Sequence, residues 1–260
     1  CLEYLPEDRF QSAAEMKAAL CKPGSNAGEN YSLDLGGGEI KMLWIPAGRF
    51  EMGSPETEPD RVENESPQTA IEMSGFWMSR TPITQAQYQA VTGTNPSEYE
   101  GPDLPVEYVS WHDAVAFCRK LSETTGDRYS LPTEAQWEYA CRAGSRGRWY
   151  FGDNEKRMDA YVWYNENAGK RTQPVGVKLP NRWGLYDMHG NVWEWCSSLY
   201  RPYPYDPNDG REDLEAEGDR ALRGGSWYDL PWSTRSAYRY RNAPHTATHR
   251  RGFRIVRIPR

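Results

Sequence analysis

The stretch from Arg220 to Arg260 constrains the fold more than any other part of the chain. It opens with Arg223-Gly224-Gly225-Ser226-Trp227 and closes with Gly252-Phe253-Arg254. Between these glycine brackets lie Trp, Tyr, Arg, His, Asn, Asp and Thr, with no apolar repeat of period 2 or 3.6. The pattern predicts a long, ordered surface segment pinned at both ends, not a core strand or a helix. Ten arginines fall between Arg220 and Arg260, against Asp229 inside and Asp219 just before. Two readings stand: forks bonding carbonyls and carboxylates within a loop-rich region, or a patch for an anion or nucleic acid.

Composition supports turns and rings over long regular elements. The chain has 260 residues, with 23 glycines, 19 prolines, 11 tryptophans and 17 tyrosines, and only 38 % hydrophobic residues. Large rings fill a core in few residues, and glycine and proline punctuate it. A net charge of −6 argues against general nucleic-acid binding. Five cysteines, Cys1, Cys21, Cys118, Cys141 and Cys196, show no metal spacing. No run reaches the roughly 18 apolar residues of a membrane span. The start, Cys1-Leu2-Glu3-Tyr4, carries no signal peptide and reads as a cut from a longer protein.

Along the chain, Ser12 and Glu15 cap an expected helix over residues 1–20. Residues 21–39 read as a linker, and 40–260 as a globular domain. Met42–Ile45, Gly48–Gly53 and Ile71–Ser79 are expected strands, with an acidic loop over 54–68. Three helices follow, opened by Thr84, by Ser110 with Asp113, and by Thr133 with Gln136; Gly93 ends the first and Gly144 the last. Beyond residue 145, short strands around Trp183–Tyr186, Val192–Trp195, Ala221–Arg223 and Gly252–Val256 are expected between long turns.

Two resemblances enter on specific residues. Leu5-Pro6-Glu7-Asp8-Arg9-Phe10-Gln11-Ser12-Ala13 resembles the end of a bacterial Ser/Thr protein kinase domain, which implies a kinase upstream. Far broader is the second. Ile45-Pro46-Ala47-Gly48-Arg49-Phe50-Glu51-Met52-Gly53, Pro82 to Tyr88, Leu131 to Ala140, Gly184 to Trp195 and the two C-terminal brackets resemble the formylglycine-generating-enzyme family in order. That resemblance implies an α+β, C-type-lectin-like fold with much irregular structure.

The family's oxidases hold copper with two cysteines five residues apart after Gly-Gly-Ser. The resemblance puts Asp229 and Thr234 at those places, and no cysteine lies between Ser226 and Arg260. A carboxylate and a hydroxyl do not replace soft thiolates for copper(I), so no copper and no enzymatic activity are expected, an oxidase being the alternative. A second branch of the superfamily takes iron from a His-x-x-x-His-x-Glu helix. His245 and His249 share the spacing but lack the Glu and sit in a Pro/Thr-rich loop. His112 and His189 read as structural. A structural calcium is implied at Asp187, Gly190, Val192 and Glu194, where Asp187 and Glu194 supply hard oxygens; the competing reading pairs Glu194 with an arginine.

The expectation that results is a non-catalytic ligand-binding domain attached to a bacterial kinase, in the cytoplasm, with no membrane or nucleic-acid partner. Some members of this fold are variable proteins of diversity-generating retroelements, which resemble this chain in their Gly-Gly-Ser-Trp to Gly-Phe-Arg ending. The expected contacts with an unknown protein or small molecule run through Tyr228, Asp229, Leu230, Trp232, Ser233 and Thr234. They continue through Tyr238, Tyr240, Asn242, His245, Thr246, Thr248, His249 and Arg250. Rigid aromatic anchors mixed with adaptable polar groups are what recognition surfaces use.

Overall fold

A computed structural model describes residues 28–259. The expected helix over residues 1–20, with its kinase resemblance, and the first part of the linker, residues 21–27, lie outside the described residues. Eleven strands are described: β1 (Tyr31–Asp34), β2 (Glu39–Ile45), β3 (Gly48–Met52), β4 (Thr69–Met73), β5 (Phe76–Ser79), β6 (Tyr129–Ser130), β7 (Trp193–Leu199), β8 (Arg220–Arg223), β9 (Arg239–Asn242), β10 (Arg251–Gly252) and β11 (Val256–Arg257). Three helices of two turns or more stand between them: α1 (Gln85–Thr92), α2 (Trp111–Thr125) and α3 (Glu134–Arg142).

Each helix starts where its sequence demands. Thr84, Ser110 and Thr133 accept from the backbone N–H three residues on, and Gln87, Asp113 and Gln136 reach back to complete reciprocal caps. Left-handed residues stop them: Gly93, Gly126 and, in place of the expected Gly144, Ala143. α2 buries Trp111, Ala114, Phe117, Cys118 and Leu121 in one core with the strand residues Ile40, Met42 and Trp195 and with Ile255. That stripe repeats every three to four residues, as one face of a helix must.

Two main sheets carry the fold. The first runs β1-β2-β5-β11-β6, and the second β10-β7-β8-β9; β3 and β4 form a separate hairpin. β7 and β8 are buried along their whole length. β10 lies parallel to β7, so the chain's last bracket closes onto the Trp193–Glu194 edge. The outcome is α+β with much irregular backbone, as expected.

Four local expectations fail for identifiable reasons. The linker reading covers β1, whose Leu33 is buried and whose backbone pairs with β2 from Tyr31↔Met42 to Asp34↔Glu39. Gly and Asn around it mask the strand signal. Ile71–Ser79 is two strands, broken where Gly75 passes so close to the Trp44 ring that any Cβ would collide. Trp183–Tyr186 is a turn, because the Asn181 side-chain oxygen accepts from Trp183 N and Leu185 N, capturing donors a ladder would need. Gly252–Val256 likewise splits between β10 and β11, which serve different sheets.

Candidate functional site

The segment between the brackets is half scaffold and half surface. Gly224 and Gly225 both adopt positive φ, and a Cβ on Gly225 would press on Thr234. This lets the chain leave β8 in a tight turn. There Ser226 N donates to Asp229 Oδ2 at 3.0 Å, the Ser226 hydroxyl donates to the same oxygen, and Asp229 N returns to Ser226 O at 3.1 Å. A short 3-10 turn, Pro231–Thr234, follows, and then the chain dives inward.

Residues Ser233 to Ala237 are buried, which corrects the expectation of a surface segment throughout. The physical reason is charge pairing. Arg235 places its guanidinium between Glu58, at 2.5 Å, and Glu65, at 2.5 and 2.9 Å. Arg239 forks onto both oxygens of Glu134 at 2.6 and 2.8 Å. Arg223 bonds Glu138 and the carbonyls of Ser236 and Ala237. Removing one member of such a buried pair typically costs about 3–5 kcal/mol, because the other charge is left stranded. Arg223, Arg235 and Arg239 are therefore structural, and two acids of the 54–68 loop close on Arg235.

The surface half forms a cleft of about 260 Å³. Its walls are Trp193, Tyr228, Leu230, Trp232, Tyr238 and Tyr240, with Asp229, Ser233, Arg250 and Arg251 supplying polarity. Trp232 meets Tyr238 edge-on at 5.4 Å, and Trp193 tilts against Tyr240 at 5.3 Å. Tyr228, Leu230, Trp232 and Tyr240 are the exposed large apolar residues here; Tyr228 is 59 % and Trp232 38 % exposed. Arg250 covers the Tyr228 ring at 4.7 Å. Burial pushes the Asp229 carboxyl above its ordinary range, opposed by the Ser226 hydrogen bond and the Arg250 charge. Burial likewise draws the Arg251 guanidinium below its ordinary value.

Eight of the expected contact residues meet in this cleft: Tyr228, Asp229, Leu230, Trp232, Ser233, Tyr238, Tyr240 and Arg250. The others are not among its lining residues. Thr234 is buried, donating to Pro231 O and accepting from Trp149 Nε1. Asn242 ends β9, with its side-chain oxygen accepting from Ala243 N. Thr246 and Thr248 offer their carbonyls to Arg251 and to Tyr108 N. His245 is exposed, while His249 packs beside Tyr99, Tyr108 and Trp227 and approaches Glu98 at 3.5 Å. Trp193 and Arg251 belong to the cleft but lie in or beside motif residues, which reads as packing. Only the parallel β7–β10 pairing exposes their second role.

A larger hollow, about 560 Å³, lies near Arg49, Phe50, Tyr139, Arg142 and Trp183. Its buried guanidinium, on Arg142, is already engaged by Glu138 and the carbonyls of Gly53 and Gly147. The aromatic cleft is the better candidate.

The implied metals do not fit the residues as they stand. At the copper positions, Asp229 is held by Ser226 and Thr234 is buried between Pro231 and Trp149, so the donors are hard, engaged oxygens. The described thiols, Cys118, Cys141 and Cys196, are all buried, and burial pushes Cys141 up to about 12. At the calcium set, Arg254 forks onto both Glu194 oxygens at 2.6 and 2.7 Å, and Trp137 Nε1 donates to one of them at 2.7 Å. Asp187 accepts from Gly176 N at 2.7 Å, and Gly190 N donates to Gly224 O. The arginine reading of Glu194 prevails, because a bidentate fork already neutralises it. Among the described residues, no three His, Cys, Asp or Glu side chains gather to hold a metal, and no helix is long and apolar enough to cross a membrane.

Comparisons with known proteins now add to the geometry. The sequence profile of the sulfatase-modifying factor enzyme 1-like domain matches residues 39–259. The formylglycine-generating enzyme of Mus musculus is 28 % identical over 83 % of this chain and 74 % of its own length. The inactive C-alpha-formylglycine-generating enzyme 2 of the same organism is 34 % identical over 67 % of this chain and 56 % of its own. A serine/threonine-protein kinase pkn1 of Chlamydia caviae is 29 % identical over 84 % of this chain, which spans 38 % of that protein. Among solved structures, Treponema denticola variable protein 1 superposes with a TM-score of 0.80 at 27 % identity, covering 88 % of this chain and 99 % of its own. The relatives named as formylglycine-generating enzymes correct the expectation that this chain is no enzyme. Missing thiols bear on copper as the metal; they do not remove the chain from a family that includes named enzymes.

Proposed function

The chain belongs to the sulfatase-modifying factor enzyme 1-like family, and from that membership we propose that its C-terminal face recognises a ligand in the cleft between Trp193, Trp232 and Tyr240. One observation carries this reading: exposed rings gather beside polar groups on a backbone clamped by buried ion pairs immediately behind them. Aromatic residues supply contact area at low entropic cost, and a rigid support lowers the cost of ordering them on binding. The proposal extends to diversification of residues 228–250, supported by the likeness to Treponema denticola variable protein 1. It extends also to linkage with a kinase domain, supported by the likeness to the chlamydial kinase.

The test is a fragment screen on the whole chain, read by amide and indole chemical shifts. Hits should cluster on Trp232, Tyr238, Tyr240 and Arg251, and Trp232→Ala should abolish them. Hits gathering instead around Arg49 and Trp183 overturn the assignment.

A second reading is favoured by the relatives named as enzymes: the cleft seats a thiol substrate for oxidation. Aldehyde formed from a cysteine-containing peptide in the presence of oxygen decides for it. The donors at Asp229 and Thr234 support no step through copper.

A further inference from the structure

Buried arginines in this molecule follow a rule. Arg142, Arg223, Arg235, Arg239 and Arg254 each meet a glutamate within the fold, and Arg211 meets Asp209. Arg148 and Arg257 meet aspartates as well. Arg220 lacks a carboxylate but donates to four carbonyls, at 2.7 to 3.0 Å. The rule is what physics requires, since a guanidinium taken out of water must be paired or saturated.

Arg251 breaks it. Its residue is only 7 % exposed, yet its one contact with a carbonyl is a marginal 3.5 Å to Thr246. It also hydrogen-bonds the Tyr240 hydroxyl, and its remaining neighbours are the like charge of Arg250 and the Trp195 ring at 5.7 Å. Among the described residues, no carboxylate pairs with it. It lines the aromatic cleft. A largely buried fork that lines a cavity, bonded to neutral oxygens and left without an acid, is a preformed anion site.

We propose that Arg251 anchors the carboxylate of a ligand whose flat, apolar portion lies between Trp193, Trp232 and Tyr240. This rests on the recognition reading above and adds the ligand's chemistry to it. Charge selects the carboxylate over a phosphate: two guanidiniums and the Asp229 carboxylate leave one net positive charge, which a monoanion neutralises and a dianion overshoots. Size agrees, because about 260 Å³ admits a single aromatic ring system with a short acidic arm and little more.

The experiment titrates the full chain with N-acetyl-tryptophan, N-acetyl-tryptophanamide and phenyl phosphate, followed by chemical shifts and calorimetry. The carboxylate should bind at least about 10-fold tighter than its neutral amide, as a charge-assisted pair predicts. Arg251→Gln should erase that difference while leaving the amide's affinity in place, and Arg251→Lys should restore part of it. If Arg251→Gln fails to fold, the carboxylate-to-amide ratio in the unaltered chain still decides. Equal affinities overturn the anchor and leave the recognition reading standing. Tighter binding of phenyl phosphate overturns the choice of a monoanion. If neither tryptophan derivative shifts the cleft while fragments still do, the anchor fails alone; if fragments fail too, both readings fall.

Discussion

Arg235 and Arg251 lie on the same segment, are both buried, and do opposite things. Arg235 is closed on both sides by Glu58 and Glu65, acids some 170 residues away in the chain. Arg251 lines a cavity and, among the described residues, pairs with no acid. The first kind of arginine holds the fold together, and the second is held by the fold for something else. The difference teaches that neither residue type nor burial assigns a role. The decisive fact is whether the charge is answered from within.

Breaking the closed kind should produce the largest effect. Arg235→Met strands Glu58 and Glu65 in the interior, and urea unfolding should show a loss of about 3–5 kcal/mol. A loss below about 1 kcal/mol would mean that the buried pair contributes no more than a surface one.

The carboxylates offer the same contrast. Glu194 sits in the Arg254 fork, whereas Asp187 is fully buried with a backbone N–H as its hydrogen-bond donor, and burial raises it from 3.8 to about 6. The native state therefore binds this proton more tightly than the unfolded chain does. That stabilises the fold below about pH 4 and is lost as pH climbs through about 6. Asp187→Asn removes the titration. Relative to the unaltered chain, it should gain roughly 1–3 kcal/mol between pH 4 and pH 7 in parallel unfolding series. Parallel curves would contradict the assignment.

On the open side, Trp232→Ala should leave stability within about 1 kcal/mol, since the ring is half in water. It should weaken N-acetyl-tryptophan about 10-fold or more, as loss of an aromatic anchor does. A stability loss comparable to that of Arg235→Met would place Trp232 with the scaffold. The smallest effect should come from Lys41→Ala, which removes a solvent-exposed contact with Glu39 at 3.7 Å. Its change should stay within about 0.5 kcal/mol, setting the baseline for an answered charge that is not buried.

Much of the architecture was legible because its signals are local. Thr84, Ser110 and Thr133 cap helices by reaching three residues ahead, and a short window of sequence contains the whole interaction. β1 was hidden because its partner strand supplies the reason for its shape, while its neighbours are glycine and asparagine. In the cleft, the exposed rings Tyr228, Trp232 and Tyr240 could be found because the family motif does not need them. Trp193 and Arg251 could not, because the first belongs to a motif and the second adjoins one. Thr234 was expected at the ligand and is buried, since the neighbouring Arg235 pulls the backbone inward.

By itself the sequence determined the family, the α+β fold class and the helix starts, all encoded in short-range patterns of caps, glycines and rings. Only the tertiary structure decided which arginine meets which acid, because electrostatic pairing acts through space between residues up to 177 positions apart. The same through-space geometry closed Glu194 with the Arg254 fork, drew Thr234 inward and left Arg251, a lining residue of the aromatic cleft, without an acid among the described residues.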